Sequence, residues 1–316
     1  MRAITRRTAW AALAGLAACA AEPPQPSAPR EPGQPRPWRT LQGGFAAPPR
    51  APLTGLPPMR PLPPAIGPFV RWTAPAALAL AGFEMLVADL GSARLWRVEL
   101  AGATIEAVAG APVAPGVALA LGPDLSAWVL DAPARQVLRF ARDGRLLQTF
   151  RAGAAWPAPA ALALADGGAT LLLADPGRAA WAEQRGPQGL VRSVATDTGG
   201  VAAIAAGRSA VFVLDRLRGA VHRVSRDGRQ EATLGLGDLR QPVALALDRH
   251  ERAWVLDAQD VALVVLQPGR PPRRWRAETL GLLRPVALAA DGLRLALADG
   301  ATGSVHLFDL DEDTVP

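Results

Sequence analysis

Two short apolar patterns alternate along most of this chain. The first alternates alanine with a second apolar residue, and its copies lie at Ala77–Leu80, Ala118–Leu121, Ala161–Leu164 and Ala244–Leu247, with weaker copies at Ala203–Ala206 and Ala287–Ala290. The second is an apolar run that ends in aspartate, at Asp89, Asp131, Asp175, Asp215, Asp257 and Asp299. Consecutive aspartates are 40 to 44 residues apart. Six copies at this period predict a repeat architecture, and the period suits a four-stranded propeller blade.

Each repeat contains four short apolar or alternating runs separated by turn residues. In the second repeat, the last two runs are joined by ArgAspGlyArg at 142–145, and the same turn recurs at 226–229. Such runs predict four strands per repeat, joined by tight turns. Alanine at alternate positions suits the innermost strand, because the blades converge on a central axis. The prediction is an all-β, six-bladed propeller.

The last repeat contains only three strand-like runs before the chain ends. Phe69–Trp72 lies just before the first repeat and belongs to no other blade. We therefore predict that residues 69–72 pair as the outer strand of the last blade. This pairing would close the ring and protect a sheet edge.

Proline, an apolar strand and a second strand ending in aspartate together resemble the NHL repeat over about residues 69–312. The resemblance implies a six-bladed propeller that serves as an interaction scaffold. The fourth copy departs from the pattern, since it has Gly199–Gly200 where the other copies have Pro75, Pro115, Pro159, Pro242 and Pro285. We expect a monomeric propeller over residues 69–316.

The N-terminus has the three parts of an export signal. Arg2, Arg6 and Arg7 precede the short apolar segment Ala9–Leu16, which is too short for a permanent membrane span. Leu16–Cys19 resembles a bacterial lipobox, and Cys19 is the only cysteine in the chain. The resemblance implies removal of residues 1–18 and lipidation of Cys19. The alternative is a plain signal peptide.

This N-terminal region also predicts a destination. The resemblance to lipoproteins implies a membrane anchor facing the periplasm, and Ala20 resembles the sorting pattern for the outer membrane. Thr5–Arg7 partly resembles a twin-arginine signal, so that route and the general secretory route both stay open.

Residues 19–68 differ in composition from the rest of the chain. Residues 20–68 hold 16 of the 31 prolines. Such a segment favours polyproline II and builds no core, which predicts a disordered tether between lipid and propeller. The alternatives are a segment that threads a cell-wall layer and a docking site for a partner.

The net charge of +6 is confined to the N-terminal part of the chain. From residue 73 onward, 25 arginines face 26 acidic residues, so the propeller carries about one negative charge. A domain without a positive field lacks the usual electrostatic feature of nucleic-acid binding. We therefore expect no nucleic-acid partner.

The sequence offers little for catalysis or for metal binding. The three histidines, His222, His250 and His306, have no ligand spacing on one element. The chain contains no Asn and no Lys, which the lactonases and quinone-dependent dehydrogenases with similar propellers use around metal or cofactor. No serine lies in a hydrolase-type elbow. We predict no catalytic residue, no metal and no cofactor.

The six repeated aspartates have two interpretations. They could form a ring of carboxylates at one mouth of the channel, for a cation. Alternatively, each accepts backbone N–H bonds in its turn, and we favour this structural role. Four of them are also close in sequence to an arginine, in the pairs Asp89/Arg94, Asp131/Arg135, Asp175/Arg178 and Asp215/Arg218.

Trp156 is our main candidate for a functional contact. It lies in the long connection between the second and third repeats, which should open on the face that carries the aspartate turns. Aromatic residues and arginine are favoured in protein-binding hot spots. The predicted partner-binding residues are Trp156, Arg178, Arg216, Arg218 and Arg240. The alternative is that Trp156 packs over a blade edge.

These observations favour an exported, membrane-anchored propeller that binds an envelope protein as a scaffold. A glycan or peptide partner is a lesser alternative. The competing hypothesis is a periplasmic propeller enzyme, of the lactonase or sugar dehydrogenase class, that acts at the channel mouth. A structural spacer without a specific ligand is a third reading. Converging histidines and carboxylates at the channel would favour the enzyme, whereas an apolar, arginine-rich surface would favour the scaffold.

Overall fold

The computed structural model describes residues 33–47, 67–151, 158–186 and 191–310. Within these ranges the chain forms 26 β-strands, numbered here in chain order, and two short 3₁₀ helices at Asp166–Gly168 and Ala277–Leu280. They form six sheets arranged as a propeller, which confirms the all-β, six-bladed prediction. No helix in these ranges is long and apolar enough to cross a membrane. The described residues from Gly33 onward belong to one compact unit.

Each blade contains an inner strand, two middle strands and an outer strand, joined by tight turns. The first three blades contain β4 (Pro75–Ala81), β5 (Glu84–Asp89), β6 (Arg94–Glu99) and β7 (Thr104–Ala107); β8 (Ala118–Leu121), β9 (Ala127–Asp131), β10 (Gln136–Phe140) and β11 (Leu146–Arg151); and β12 (Ala161–Ala165), β13 (Thr170–Ala174), β14 (Ala180–Arg185) and β15 (Val191–Ala195).

The other three blades repeat this order. The fourth and fifth contain β16 (Ala203–Ala206), β17 (Ala210–Asp215), β18 (Ala220–Ser225) and β19 (Gln230–Leu234); and β20 (Pro242–Leu247), β21 (Ala253–Asp257), β22 (Ala262–Leu266) and β23 (Arg273–Arg276). The sixth contains β24 (Pro285–Asp291), β25 (Arg294–Asp299), β26 (Ser304–Asp309) and β1 (Arg36–Leu41).

An N-terminal strand closes the last blade, but it is not the predicted one. The strand β1 pairs antiparallel with β26, with Arg36 opposite Asp309 and Leu41 opposite Val305. The prediction of residues 69–72 for this position is therefore wrong. Pro37 fits here because β1 is the outermost strand, where a missing backbone N–H costs no ladder bond.

The segment predicted as the closing strand instead extends the first blade. Phe69–Arg71 forms β3, which pairs antiparallel with β2 (Gly43–Ala46), and β2 pairs in parallel with β7. The first sheet therefore has six strands. The propeller begins at β1, so the tether predicted over residues 19–68 is wrong for the strands within 36–46.

The core consists of apolar layers between neighbouring blades. One such cluster joins Ala289 and Ala296 of the sixth blade to Leu78 and Met85 of the first, and it includes the buried ring of Trp72. The inner strands have alanine at close inter-blade contacts, as the converging geometry requires. Because both faces of a blade are covered, the second strands are almost continuously apolar.

The exceptional Gly199–Gly200 at the start of the fourth blade has a steric cause. Gly200 has a φ of +149°, and a Cβ there would lie 2.4 Å from the carbonyl oxygen of Pro176 in the turn of the third blade. A Cβ at Gly199 would lie 3.1 Å from the Cβ of Leu217. Two glycines therefore let the turns of the third and fourth blades pack closely.

Candidate functional site

One mouth of the central channel is lined by residues at or just before the start of the six inner strands. The lining encloses about 190 Å³. Three residues from each blade contribute, and all of them are Ala, Val, Leu or Ile: 76–78, 117–119, 160–162, 202–204, 243–245 and 286–288. Within the described ranges, the lining of this mouth therefore contains neither a carboxylate nor an imidazole, and it offers only apolar side chains and the backbone.

The repeated aspartates lie beside this mouth, at the ends of the second strands, and all except Asp131 are buried. Asp257 accepts hydrogen bonds from the backbone N–H groups of Arg240 (2.7 Å), Gln241 (3.0 Å) and Gln259 (3.2 Å). It therefore ties the start of its blade to the turn after its second strand. We call the surface that these turns form the aspartate face.

The other blades use variants of the same arrangement. The Asp89 carboxylate accepts hydrogen bonds from the backbone N–H groups of Thr73, Ala74 and Ser92, and Asp175 accepts them from Ala158 and Gly177. Asp215 accepts backbone N–H groups from Gly199, Leu217 and Arg218, and Asp299 accepts them from Leu283, Arg284 and Ala301. Asp131 bonds to the Ala134 N–H and the Gln136 side chain. This geometry matches the structural interpretation and does not direct carboxylates into the channel.

Backbone bonding also changes the acidity of one of these carboxylates. Burial raises the pKa of Asp299, but the N–H donors of Leu283, Ala301, Arg284 and Thr302 outweigh it and hold that pKa below its ordinary value. Of the four predicted aspartate–arginine pairs, the structure brings one within ion-pair distance. In that pair, Arg218 Nε lies 3.8 Å from Asp215 Oδ2.

The four arginines predicted for partner binding are all exposed on the aspartate face. Arg178 lies in the turn of the third blade, Arg216 and Arg218 lie in the turn of the fourth, and Arg240 precedes the fifth. The tight glycine contacts bring these segments side by side, because Gly200 abuts Pro176 and Gly219 abuts the carbonyl of Leu239. Trp156 and Cys19 lie outside the described residues.

Sequence reasoning missed two leucines on this face. Leu217 is 80% exposed between Arg216 and Arg218, and Leu283 is 68% exposed beside Arg284 at the start of the sixth blade. Their signal in the sequence was an apolar residue inside a turn, where polar residues are usual. Together with the four predicted arginines and Arg284, they form what we call the leucine–arginine rim.

The arginines of the rim differ in how they are held. Arg218 donates to the carbonyl of Asp197 at 2.6 Å, and Arg284 donates to the carbonyl of Gly300 at 2.9 Å. Among the described residues, the guanidinium groups of Arg178, Arg216 and Arg240 contact no carboxylate within 4.0 Å. These three cations are therefore available to an incoming group.

The histidines occupy separate places. Burial lowers the pKa of His222, more than the attraction of Asp215, 3.7 Å away, raises it. Burial likewise lowers the pKa of His306, which Asp299 partly offsets. His250 is exposed in a turn. Within the described ranges, no three His, Cys, Asp or Glu side chains are grouped to hold a metal ion.

Comparison with known proteins supports the fold. No protein-family model and no curated protein matches the chain. Solved structures do match. Virginiamycin B lyase from Staphylococcus aureus is 12% identical with a TM-score of 0.56, over 76% of this chain and 96% of that one.

Two further structures extend the comparison. A protein of unknown function from Bacteroides thetaiotaomicron is 13% identical with a TM-score of 0.61, over 76% of this chain and 70% of that one. Hydrazine synthase from Kuenenia stuttgartiensis is 12% identical with a TM-score of 0.55, over 76% and 97%. At such identities the likeness shows the propeller fold alone, and it carries no information about the chemistry of this chain.

Proposed function

We propose that this protein is an exported, membrane-anchored, NHL-like propeller that binds a protein partner in the cell envelope through its aspartate face. The observation that carries this proposal is the contrast between the channel and its surroundings. The lining of this channel mouth is apolar, whereas the leucine–arginine rim beside it presents exposed leucines and three arginines without a carboxylate partner among the described residues. Arginine is favoured at binding hot spots, and exposed leucines gain free energy when a partner covers them.

The anchoring part of the proposal depends on Cys19 and the apolar segment before it. A cysteine after Leu16–Ala18 supports lipidation, and no other cysteine in the chain competes for that role. The same proposal includes a propeller that faces the periplasm and a lipid anchor that is sorted to the outer membrane. Labelling cells with a radioactive fatty acid tests it, with Cys19→Ala as the variant. We expect label in the membrane-bound wild type and none in the variant.

The enzymatic alternative would need polar side chains converging on the channel. Lyases exist on this fold, as the structure from Staphylococcus aureus shows, so the scaffold proposal needs a direct test. That test is capture of partners from detergent-solubilised membranes by the full-length lipidated protein, read out by quantitative mass spectrometry.

Three variants make the capture experiment specific. Leu217→Ser removes the most exposed leucine of the rim, and Trp156→Ala tests the sequence-based candidate. Leu147→Ser is the control, because Leu147 is an exposed leucine on the outer strand β11. We expect a stoichiometric partner that falls at least about fivefold with Leu217→Ser and is retained by the control. Equal capture by all forms would place the interface elsewhere, and no enriched protein would contradict the scaffold function.

A further inference from the structure

The exposed aromatic side chains are confined to one part of the chain. Among the described residues they are Trp38, Phe45, Phe69 and Phe83, which are 36%, 40%, 53% and 58% exposed. The remaining aromatic side chains in the described ranges are all buried. All four exposed ones belong to the outer strand of the sixth blade or to the first blade, and we call them the aromatic patch. Grouped exposed apolar surface marks an interaction site.

The phenylalanines of the patch surround one turn, which joins β6 to β7 in the first blade. At one end of this turn, the Leu100 N–H donates to the carbonyl of Phe83 at 2.9 Å. At the other end, the Phe45 N–H donates to the carbonyl of Ala103 at 2.9 Å. Phe69 lies opposite Phe45 in the sheet, and their ring centroids are 5.3 Å apart. The three phenylalanines are therefore neighbours in space.

Trp38 joins this group through a β-bulge. The register of β1 shifts between Pro37 and Arg39, so Trp38 has no partner opposite it on β26. A bulge redirects the side chain of the extra residue. Here the indole ring lies over Arg294, with its centroid 4.2 Å from Cζ, and the ring of Phe83 lies 4.9 Å from the same carbon. Arg294 therefore holds both rings in place through cation–π contacts.

Charged groups beside the patch leave cations, and no unbound carboxylate, for an incoming surface. The neighbouring carboxylates already accept hydrogen bonds within the protein: Asp291 from the Gly82 N–H, Asp309 from Arg294, and Glu99 from the N–H groups of Ala101 and Gly102. Arg36 and Arg71 are exposed, and within the described ranges neither guanidinium lies within 4.0 Å of a carboxylate. These two arginines are therefore available to phosphate groups.

The position of the patch along the chain favours a lipid surface as its occupant. Trp38 follows Cys19 by 19 residues, so even a fully extended chain keeps it within about 70 Å of that cysteine. With Cys19 lipidated, the bilayer is therefore always within reach of the patch, at a high effective concentration. Tryptophan and phenylalanine gain free energy at the level of lipid headgroups, and one weak membrane contact is strengthened by a second.

We propose that the aromatic patch rests on the surface of the membrane to which the protein is anchored. The rings of Trp38 and Phe83 lie at the headgroup level, and Arg36 and Arg71 contact lipid phosphates. This inference rests on the membrane anchoring proposed above. It adds a fixed orientation of the propeller on the bilayer, which a tether alone does not provide.

The first test locates the bilayer relative to the propeller. The full-length lipidated protein is placed in vesicles of phosphatidylethanolamine and phosphatidylglycerol, with a nitroxide attached at Phe83→Cys or at Leu236→Cys. Leu236 is the matched control, because it is 65% exposed but follows the fourth blade, across the ring from the first. We expect the label at 83 to collide with oxygen dissolved in lipid and the label at 236 to collide with a water-soluble nickel complex. Two labels in water, or a label in lipid at 236, would overturn the proposal.

A second test separates the patch from the anchor. The unlipidated variant Cys19→Ala is floated with the same vesicles, alone and combined with Phe83→Ser or Leu236→Ser. We expect vesicle binding that falls at least about tenfold with Phe83→Ser, because a phenylalanine is no longer buried, and persists with Leu236→Ser. No binding, or equal binding by all three forms, would overturn the proposal. A wild type without fatty-acid label would contradict the anchoring and leave this second test valid, and capture of a membrane protein that Phe83→Ser abolishes would assign the patch to a protein instead.

Discussion

The backbone N–H of Gly199 donates a 2.6 Å hydrogen bond to the carboxylate of Asp215, 16 residues further along the chain. The bond joins the start of the fourth blade to the end of its second strand. The same link recurs between Thr73 and Asp89 and between Leu283 and Asp299. In five of the six blades the repeated aspartate therefore fixes the entrance of the blade, and the regular spacing in the sequence reflects this structural need.

Replacing one of these aspartates should destabilise the protein strongly. Asp257→Ala would leave the N–H groups of Arg240, Gln241 and Gln259 without their acceptor. We expect a loss of about 2–4 kcal/mol in the free energy of unfolding, because these are buried bonds to a charged group. Urea unfolding followed by circular dichroism measures it. Asp143→Ala, in an exposed hairpin turn, is the control and should change stability by less than about 1 kcal/mol.

The glycine pair of the fourth blade should resist substitution. Gly200→Ala would place a Cβ 2.4 Å from the Pro176 oxygen at a φ of +149°. We expect a loss of about 3 kcal/mol or more, since both backbone strain and a clash oppose alanine. Gly237→Ala is the comparison, because Gly237 also has positive φ but open space around it. If the two variants melted at the same temperature, the close contact between the blades would be contradicted.

Acid should weaken the fold through its two inward-lying histidines. The folded-state pKa values of His222 and His306 lie below the ordinary value of 6.5. As pH falls through 6.5, the unfolded chain binds protons at these positions before the folded chain does, so stability declines. Above pH 6.5 the two histidines should not make the free energy of unfolding depend on pH.

The free energy of unfolding, measured by urea titration from pH 8 to pH 5, tests this expectation. The double variant His222→Gln/His306→Gln should show a shallower decline below pH 6.5 than the wild type. His250→Gln, which changes the exposed histidine, is the control and should keep the wild-type slope. An unchanged slope in the double variant would show that other groups cause the acid sensitivity.

Removing β1 should destabilise the ring even though this strand lies in the proline-rich part of the sequence. A chain that begins at Gly33 keeps β1, whereas one that begins at Gly43 lacks it and leaves β26 as an open edge. We expect the first to melt like the longer protein. The second should melt about 5–10 °C lower, since it loses a ladder and the buried Leu41. Calorimetry of the two chains, with size-exclusion chromatography to detect edge-to-edge association, makes the comparison.

The inner parts of the fold were readable from sequence because burial demands apolar residues there. The alternation at Ala77–Leu80 and the run that ends at Asp89 correspond to β4 and β5. The outermost strand was not readable. In Arg36–Leu41 only Leu41 is buried, and the strand is held mainly by backbone bonds that no side-chain pattern reports. Phe69–Trp72 has a clearer apolar pattern, so the sequence alone favours it for the sheet edge that β1 occupies in the structure.

The candidate sites likewise include residues whose placement the sequence predicts and residues whose placement it does not. The positions of Arg178, Arg216, Arg218 and Arg240 on one face followed from the repeat register. The exposed Leu217 and Leu283 did not, because the exposure of one turn residue depends on tertiary packing. A polar cavity that Arg97 and Arg142 share was also beyond the sequence, since its lining comes from two different blades.

The pairing of β1 with β26 has a consequence for how the protein is made. Thr40 and His306 are in contact, yet they are 266 residues apart in the chain. During synthesis from the N-terminus, β1 must wait, unpaired, until β26 is made almost at the end. Long-range pairing of this kind is slow and leaves a strand open to association. The sixth blade is therefore a late step in assembly, and the interval before its completion is when a chaperone would matter most.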